Sequence, residues 1–331
     1  MRGLRGLQGS KMSLAFVFPG QGAQTVGMGR DLAEACQAAR AVFEEVDEAL
    51  GERLSALAWE GDAELLTLTE NAQPALMATS MAVVRALEAE GVDVTVAGYV
   101  AGHSLGEYSA LCAAGAIKLA DAARLLRLRG KAMQAAVPVG EGAMAAVLGL
   151  DCDAVAEVAE RAAQGGVCQV ANENDPAQNV ISGSREAVER AVELAKEAGA
   201  KRAVMLPVSA PFHCSLMTPA AATMARALGD VEIAQPKVPI VANVLAAEAT
   251  DPSVIRSLLV DQVAGRVRWR ASVEWMAEHG VKEFWELGAG KALSGMIRRT
   301  FRDANTRAVA TAREVAEAAA SRQDACKTSS N

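Results

Sequence analysis

Histidine is the scarcest source of chemistry in this chain: 331 residues contain three, His103, His213 and His279. Any imidazole catalysis must use one of those positions. Aromatic residues make up 4% of the chain and no basic patch interleaves with them, so the stacking and charge surface that binds nucleic acid is missing. The net charge of −7 gives no attraction to an anionic membrane. No apolar run reaches the roughly 18 residues a membrane-spanning helix needs. The segment Leu14 to Phe18 is too short for a secretory core and runs into Pro19-Gly20. The six cysteines, Cys36, Cys112, Cys152, Cys168, Cys214 and Cys326, include no Cys-x-x-Cys pair, which removes the usual metal-binding and redox spacings. They read as reduced thiols, as in a cytoplasmic protein. A Rossmann fingerprint is absent, and Gly288-Ala289-Gly290-Lys291 lacks the spacing of a full phosphate-binding loop.

What remains is 51% hydrophobic, enough for a sizeable core in one large domain or two unequal ones. Residues 1–11 read as an extension ahead of Met12, and the polar tail from Ser321, or all of 319–331, as disordered. Leu14 to Phe18 predicts a strand ending at the turn Pro19-Gly20-Gln21-Gly22. Helices are expected over 31–50 and 71–90, and a buried strand over 94–101. This alternation of strand and helix predicts a parallel sheet covered on both faces. From Gly140 the rhythm changes to strand 143–150, helix 151–164, strand 167–173, strand 177–183, helix 184–198 and strand 201–208. That order is β-α-β-β-α-β, a ferredoxin-like unit inserted in the larger domain. Strand 238–244, helix 272–279 and strand 281–287 resume the large-domain pattern. The expected division is a discontinuous α/β domain of 12–140 and 205–318 with a small domain of 141–204.

The strongest chemical signal is Gly102-His103-Ser104-Leu105-Gly106, a Gly-x-Ser-x-Gly pentapeptide between an apolar strand and a small-residue helix over 105–114. A serine in such a strand-to-helix turn sits in a strained bend with its hydroxyl exposed and helical amides nearby. Ser104 is the candidate nucleophile. Among the possible bases, His279 precedes Gly280 at a helix end and reads as a cap. His103 adjoins the serine, and neighbouring side chains in extended backbone point to opposite faces. His213, in a loop stiffened by Pro207 and Pro211, is the base by elimination. Its orienting partner is either a backbone carbonyl or a distant acid such as Asp251 or Glu286.

Arg124, Arg127 and Lys131 share the polar face of the helix 121–137, whereas Arg129 falls beside Leu125, Leu126, Ala132 and Met133. An apolar-face guanidinium needs an anion, because an unpaired buried charge is costly. The anion is either a structural acid or a substrate carboxylate held by two hydrogen bonds. The Gly20-Gln21-Gly22 turn is either a second oxyanion donor or a plain turn. Gln73 and Gln262 are polar residues beside apolar runs.

Five motifs taken in order carry a resemblance over about residues 12–315: Phe18 to Gln24, Thr69 to Leu76, Gly102 to Gly106, Arg129 to Met133, and Ala210 to Met217. Together they resemble the malonyl-CoA:acyl carrier protein transacylases. The resemblance implies a hydrolase-like α/β domain with an inserted ferredoxin-like subdomain and a cleft between them. It further implies that Ser104 takes malonyl from malonyl-CoA and passes it to the phosphopantetheine thiol of acyl carrier protein, with His213 as base and then acid. Arg129 would pair with the malonyl carboxylate, the amides of Gln21 and Leu105 would hold the oxyanion, and Gln262 would hold the histidine or the site. Gln73, His103 and Asn172 match site-lining positions. The family works without a permanently bound cofactor, coenzyme A being the product, and the chain is expected to be a monomer. Phe212 resembles malonyl-type rather than methylmalonyl-type members. Ala23, Gly265-Arg266 and Ala289 depart from the family pattern in loops. Fatty-acid elongation is the expected destination of the malonyl group. An α/β-hydrolase-type thioesterase or esterase, an acyltransferase of polyketide synthesis, and a non-catalytic scaffold are the alternatives.

Overall fold

Runs of apolar residues too short for helices form the middle of a parallel sheet, and helices with one apolar face cover it. The structure, a computed structural model, describes residues 13–208 and 210–328, the last four by backbone alone. The expectations for residues 1–11, for Met12 and for the Cys326 thiol lie outside the described residues. The first part of the chain runs β1 (Leu14–Phe18), α1 (Arg30–Ala35), α2 (Gln37–Leu50), α3 (Leu54–Glu60), α4 (Ala63–Thr67), α5 (Thr69–Ala89), β2 (Tyr99–Gly102), α6 (Gly106–Ala113) and α7 (Leu119–Ala135). The inserted unit is β3 (Gly142–Leu148), α8 (Cys152–Ala163), β4 (Cys168–Asp175), β5 (Gln178–Ser184), α9 (Arg185–Glu197) and β6 (Arg202–Met205). The chain then continues through α10 (Thr218–Gly229), β7 (Ile240–Ala242), β8 (Ala247–Ala249), α11 (Pro252–Ala264), α12 (Trp269–Glu278), β9 (Glu283–Leu287), α13 (Ala292–Thr300), β10 (Asn305–Val309) and α14 (Ala312–Thr328).

The large sheet has the order β10-β9-β1-β2-β7-β8, parallel except for the edge strand β8. Every residue of β1 and β2 is buried, which is why these strands read as unbroken apolar runs. The second sheet, β4-β5-β3-β6, is antiparallel and carries the ferredoxin-like order. Its own core packs Val147 and Ile181 from one face of this sheet against Val155 and Val158 of α8 and Val188 and Ala191 of α9. Val267 ties the two parts together, its N–H donating to the Ala171 carbonyl at 2.8 Å and its carbonyl accepting from Glu173 at 2.9 Å.

Several expectations need correction. Helix 31–50 is two helices, broken at Cys36, whose backbone is extended (φ −129°). The side chain of Arg40 fills the break, donating to the carbonyls of Ala33 (3.0 Å) and Glu34 (3.3 Å) that end α1. Strand 94–101 begins only at Tyr99, because the Asp93 carboxylate accepts from Thr95 N–H and folds Val94–Val96 into a 3-10 turn. Strand 201–208 stops at Met205, ahead of Pro207, and strand 238–244 shortens to Ile240–Ala242. The disordered tail is corrected over its described part: α14 continues to Thr328, anchored by buried Val315, Ala318 and Ala319 and favoured by its alanine content, while residues 329–331 lie outside the described residues.

One local device matters for the site. Pro74 lies inside α5 and has no N–H for the carbonyl of Glu70 four residues earlier. Arg127 Nη1 of α7 donates to that carbonyl at 2.7 Å. At the same crossing Gly130 lets α7 approach α5 so closely that a Cβ there would lie 2.4 Å from the Glu70 Cα. Gln73 on α5 and Arg129 on α7 are thereby brought face to face.

Candidate functional site

The Gly-x-Ser-x-Gly stretch is the turn from β2 into α6, and Ser104 sits there at φ +52°, a left-handed conformation that side-chain-bearing residues rarely adopt. Both flanking glycines are sterically required. A Cβ on Gly102 would lie 1.9 Å from the Gly106 carbonyl oxygen, and one on Gly106 would lie 2.3 Å from that of Phe18. The elbow thus packs backbone against backbone at the end of β1 and aims Ser104 outward.

His213, in the loop after β6 and also at positive φ (+59°), brings Nε2 to 2.8 Å from Ser104 Oγ. Its Nδ1 lies 2.9 Å from the backbone carbonyl of Gln262 on α11. A carbonyl can only accept, so Nδ1 carries the proton and Nε2 presents its lone pair to the serine hydroxyl. Burial, reinforced by the nearby Arg129 charge, pushes the His213 imidazole down to about 3, so the ring is neutral at physiological pH. The two acids left open by the sequence do not reach it. Asp251 caps α11 by accepting from Ser253 and Val254 N–H. Glu286 accepts from Leu293 and Ser294 N–H at the start of α13. That bond also occupies the amides of the Gly288-to-Lys291 turn's helix. His279 ends α12 and bonds the Trp275 carbonyl through Nδ1 at 2.7 Å.

Arg129 is 1% exposed, yet among the described residues its hydrogen bonds go only to neutral oxygens: Gln73 Oε1 (2.7 Å), Gln262 Oε1 (2.8 Å) and Ser104 Oγ (3.1 Å). Its Nε has no acceptor among the described residues. Gln73 Nε2 donates to Thr69 Oγ1 (2.9 Å), and Thr69 Oγ1 to Gln21 Oε1 (2.8 Å), linking the guanidinium to the β1 turn. Burial lowers the Arg129 pKa from its ordinary value, but a guanidinium remains a cation.

These groups line a cavity of about 370 Å³ whose walls include Gln21, Leu105, Met133, Met144, Asn172 and Phe212. The cavity lies between the two sheets, with Met144 on β3 and Asn172 on β4. Among the described residues nothing accepts from the amides of Gln21 or Leu105. Asn172 Oδ1 is buried with no partner among the described residues, and His103 Nε2 donates to Asn174 Oδ1 at 2.8 Å. Of the residues that the resemblance assigns to the site, Gln262 alone is not among those lining the cavity; it is a hub touching Ser104, His213 and Arg129.

Sequence reasoning overlooked Asn243 and Glu107, and met Thr69 only as the first residue of a motif. Glu107 is a carboxylate on the otherwise apolar α6, the same signal that flagged Arg129. It accepts from Gln262 Nε2 (2.7 Å) and Asn243 N–H (3.2 Å), and burial raises it to about 7. Asn243 is the polar residue that ends the apolar strand β7. Among the described residues no cluster of three potential ligands could hold a metal, and no helix is long and apolar enough to cross a membrane.

A buried imidazole poised on a serine hydroxyl, with a cation beside it, is equipment for moving acyl groups through a serine ester. The acyl transferase domain family matches residues 15–323, so the class is acyltransferase. A malonyl CoA-acyl carrier protein transacylase of Bacillus subtilis is 48% identical over 297 residues, 89% of this chain and 93% of that protein. The crystal structure of an acyl-carrier-protein-S-malonyltransferase from Bartonella henselae is 57% identical, covering 92% of this chain and 98% of that one, with a TM-score of 0.91. A malonyl-transacylase solved with its type II PKS acyl-carrier protein is 42% identical, covering 93% and 99%, again with a TM-score of 0.91. The chain belongs to the malonyl CoA-acyl carrier protein transacylases of the acyl transferase family.

Proposed function

We propose that the protein transfers malonyl from malonyl-CoA to the phosphopantetheine thiol of acyl carrier protein through an ester on Ser104, supplying fatty-acid elongation. His213 Nε2 takes the hydroxyl proton as Ser104 Oγ attacks the thioester carbonyl. The resulting oxyanion faces the amides of Gln21 and Leu105. Collapse breaks the C–S bond, and His213 returns the proton to the departing coenzyme A thiolate. The carrier thiol then enters, gives its proton to His213 and attacks the ester carbonyl. Its collapse frees Ser104, which recovers the proton. Gln262 holds the imidazole, while Gln73, His103 and Asn172 shape the acyl pocket.

The observation that carries this reading is Arg129: a buried cation, bonded among the described residues only to neutral oxygens, 3.1 Å from the Ser104 hydroxyl. A free carboxylate on the acyl group supplies a directly paired anion, since the nearest protein carboxylate, Glu107, is separated from Arg129 by Gln262 and is raised to about 7 by burial. The same clamp fixes the ester in the closed site so that water does not attack it productively while it waits for a thiol. We further propose that residues 12–140 with 205–318, and residues 141–204, act as the two walls of the cleft in a cytoplasmic monomer. The five described cysteines are free thiols, as a reducing compartment keeps them.

The test compares malonyl-CoA consumption with and without phosphopantetheinylated carrier. Turnover is expected to depend on the carrier and to load it with malonyl. Free malonate released equally fast without carrier would instead identify a thioesterase.

A further inference from the structure

We propose that Asn243 is a positioning residue that clamps the backbone of the Ser104 elbow in its attacking conformation, a proposal that rests on Ser104 being the nucleophile. Asn243 follows β7, two residues beyond the parallel pair Ala101 and Val241, and so lies beside the elbow across the sheet. Its side chain is fully buried and spans the turn: Oδ1 accepts from Ser104 N–H at 2.8 Å, and Nδ2 donates to the Gly102 carbonyl at 2.6 Å. A backbone N–H can only donate and a carbonyl only accept, so the orientation of the amide is fixed by its partners. Only a neutral side chain carrying both functions on one short fork can satisfy both ends.

The clamp is itself held. Asn243 N–H donates to Glu107 Oε2 at 3.2 Å, its carbonyl accepts from Arg268 N–H at 3.0 Å, and Gln262 Nε2 lies 3.3 Å from its Oδ1. Gln262 Nε2 also donates to the Ser104 carbonyl at 2.9 Å. The left-handed Ser104 is therefore gripped at its N–H by Asn243 and at its carbonyl by Gln262. A non-glycine residue in that conformation relaxes unless its surroundings over-determine it. The two grips keep Ser104 Oγ on the His213 lone pair and leave the following amide, Leu105, free to face an oxyanion. Asn243 does not line the acyl cavity, so its loss should spare malonyl-CoA binding.

The experiment is rapid mixing of Asn243→Ala and Asn243→Asp with malonyl-CoA, read by intact mass as both rate and final extent of ester formation. Asn243→Asp keeps size and acceptor but loses the donor to Gly102, and it carries the test if the alanine variant folds poorly. The expected result is an acylation rate lowered roughly 10- to 100-fold at nearly unchanged KM, each factor of ten being one step of barrier height. A merely structural role lowers the extent of labelling and the melting temperature while the surviving fraction reacts at the wild-type rate. That outcome, or a rate within about twofold of wild type, overturns the proposal. Failure of the underlying reading looks different: wild-type protein gains no malonyl mass, or Ser104→Ala still gains it.

Discussion

Replacing Arg129 by alanine should separate malonyl from acetyl transfer, and the structure sets the scale. The guanidinium is 1% exposed and places Nη2 3.1 Å from Ser104 Oγ, so an acyl group on that oxygen lies within reach of its fork. Removing one partner of a buried, hydrogen-bonded charge pair costs about 2–5 kcal/mol. At 1.36 kcal/mol per factor of ten, kcat/KM for malonyl-CoA should fall from about 30-fold to several thousandfold. Acetyl-CoA has no carboxylate to lose, and its transfer should change by less than about fivefold. Arg129→Lys keeps the charge but not the two-pronged geometry and should fall between. The assay is steady-state transfer to carrier with both thioesters and all three proteins. Equal losses for malonyl and acetyl would refute the carboxylate clamp and leave Arg129 as a support for Gln73 and Gln262.

Glu107 is held at about 7 by burial, against an ordinary 4.5, so it contributes up to about 3 kcal/mol of stability that is present below pH 4.5 and lost as pH rises through 7. Glu107→Gln stays neutral, and its melting temperature relative to wild type should climb between about pH 5 and pH 8; parallel curves would show that Glu107 does not titrate in that range. Gly106→Ala drives a Cβ to 2.3 Å from the Phe18 carbonyl and should lower stability by about 1–3 kcal/mol with loss of acylation. Gly229→Ala, with nothing within 4 Å of the new Cβ, is the control and should be neutral or slightly stabilising by calorimetry. Asp251→Ala should cost about 1 kcal/mol through loss of the α11 cap while acylation stays near wild type; a rate falling about a hundredfold would place that carboxylate behind His213.

The parts legible in the sequence are those fixed by local pattern. Leu14 to Phe18 and the β-α-β-β-α-β order announce themselves by apolar runs and period, and the elbow by glycines whose Cβ positions the fold cannot accommodate. Arg129 was legible because a cation on an apolar helix face is anomalous wherever the helix packs. What could not be read depends on partners distant in sequence. Nothing near Cys36 shows that Arg40 will cap a broken helix, and nothing near Asn243 shows that its amide will straddle Gly102 and Ser104, about 140 residues away. Whether a carbonyl or an acid orients His213 is likewise a tertiary fact, decided by α11 presenting the Gln262 backbone. Glu107 was missed for a different reason: it carries the same buried-charge signal as Arg129, one turn from the serine.

The central claim, that Ser104 carries malonyl between two thiols, is tested most directly by mixing the protein briefly with malonyl-CoA, taking the intact mass and mapping the modified peptide. The account predicts the mass of one malonyl group on the peptide containing Ser104, its absence in Ser104→Ala, and its discharge when phosphopantetheinylated carrier is added. An adduct that survives in Ser104→Ala, or one that the carrier thiol does not remove, would contradict it.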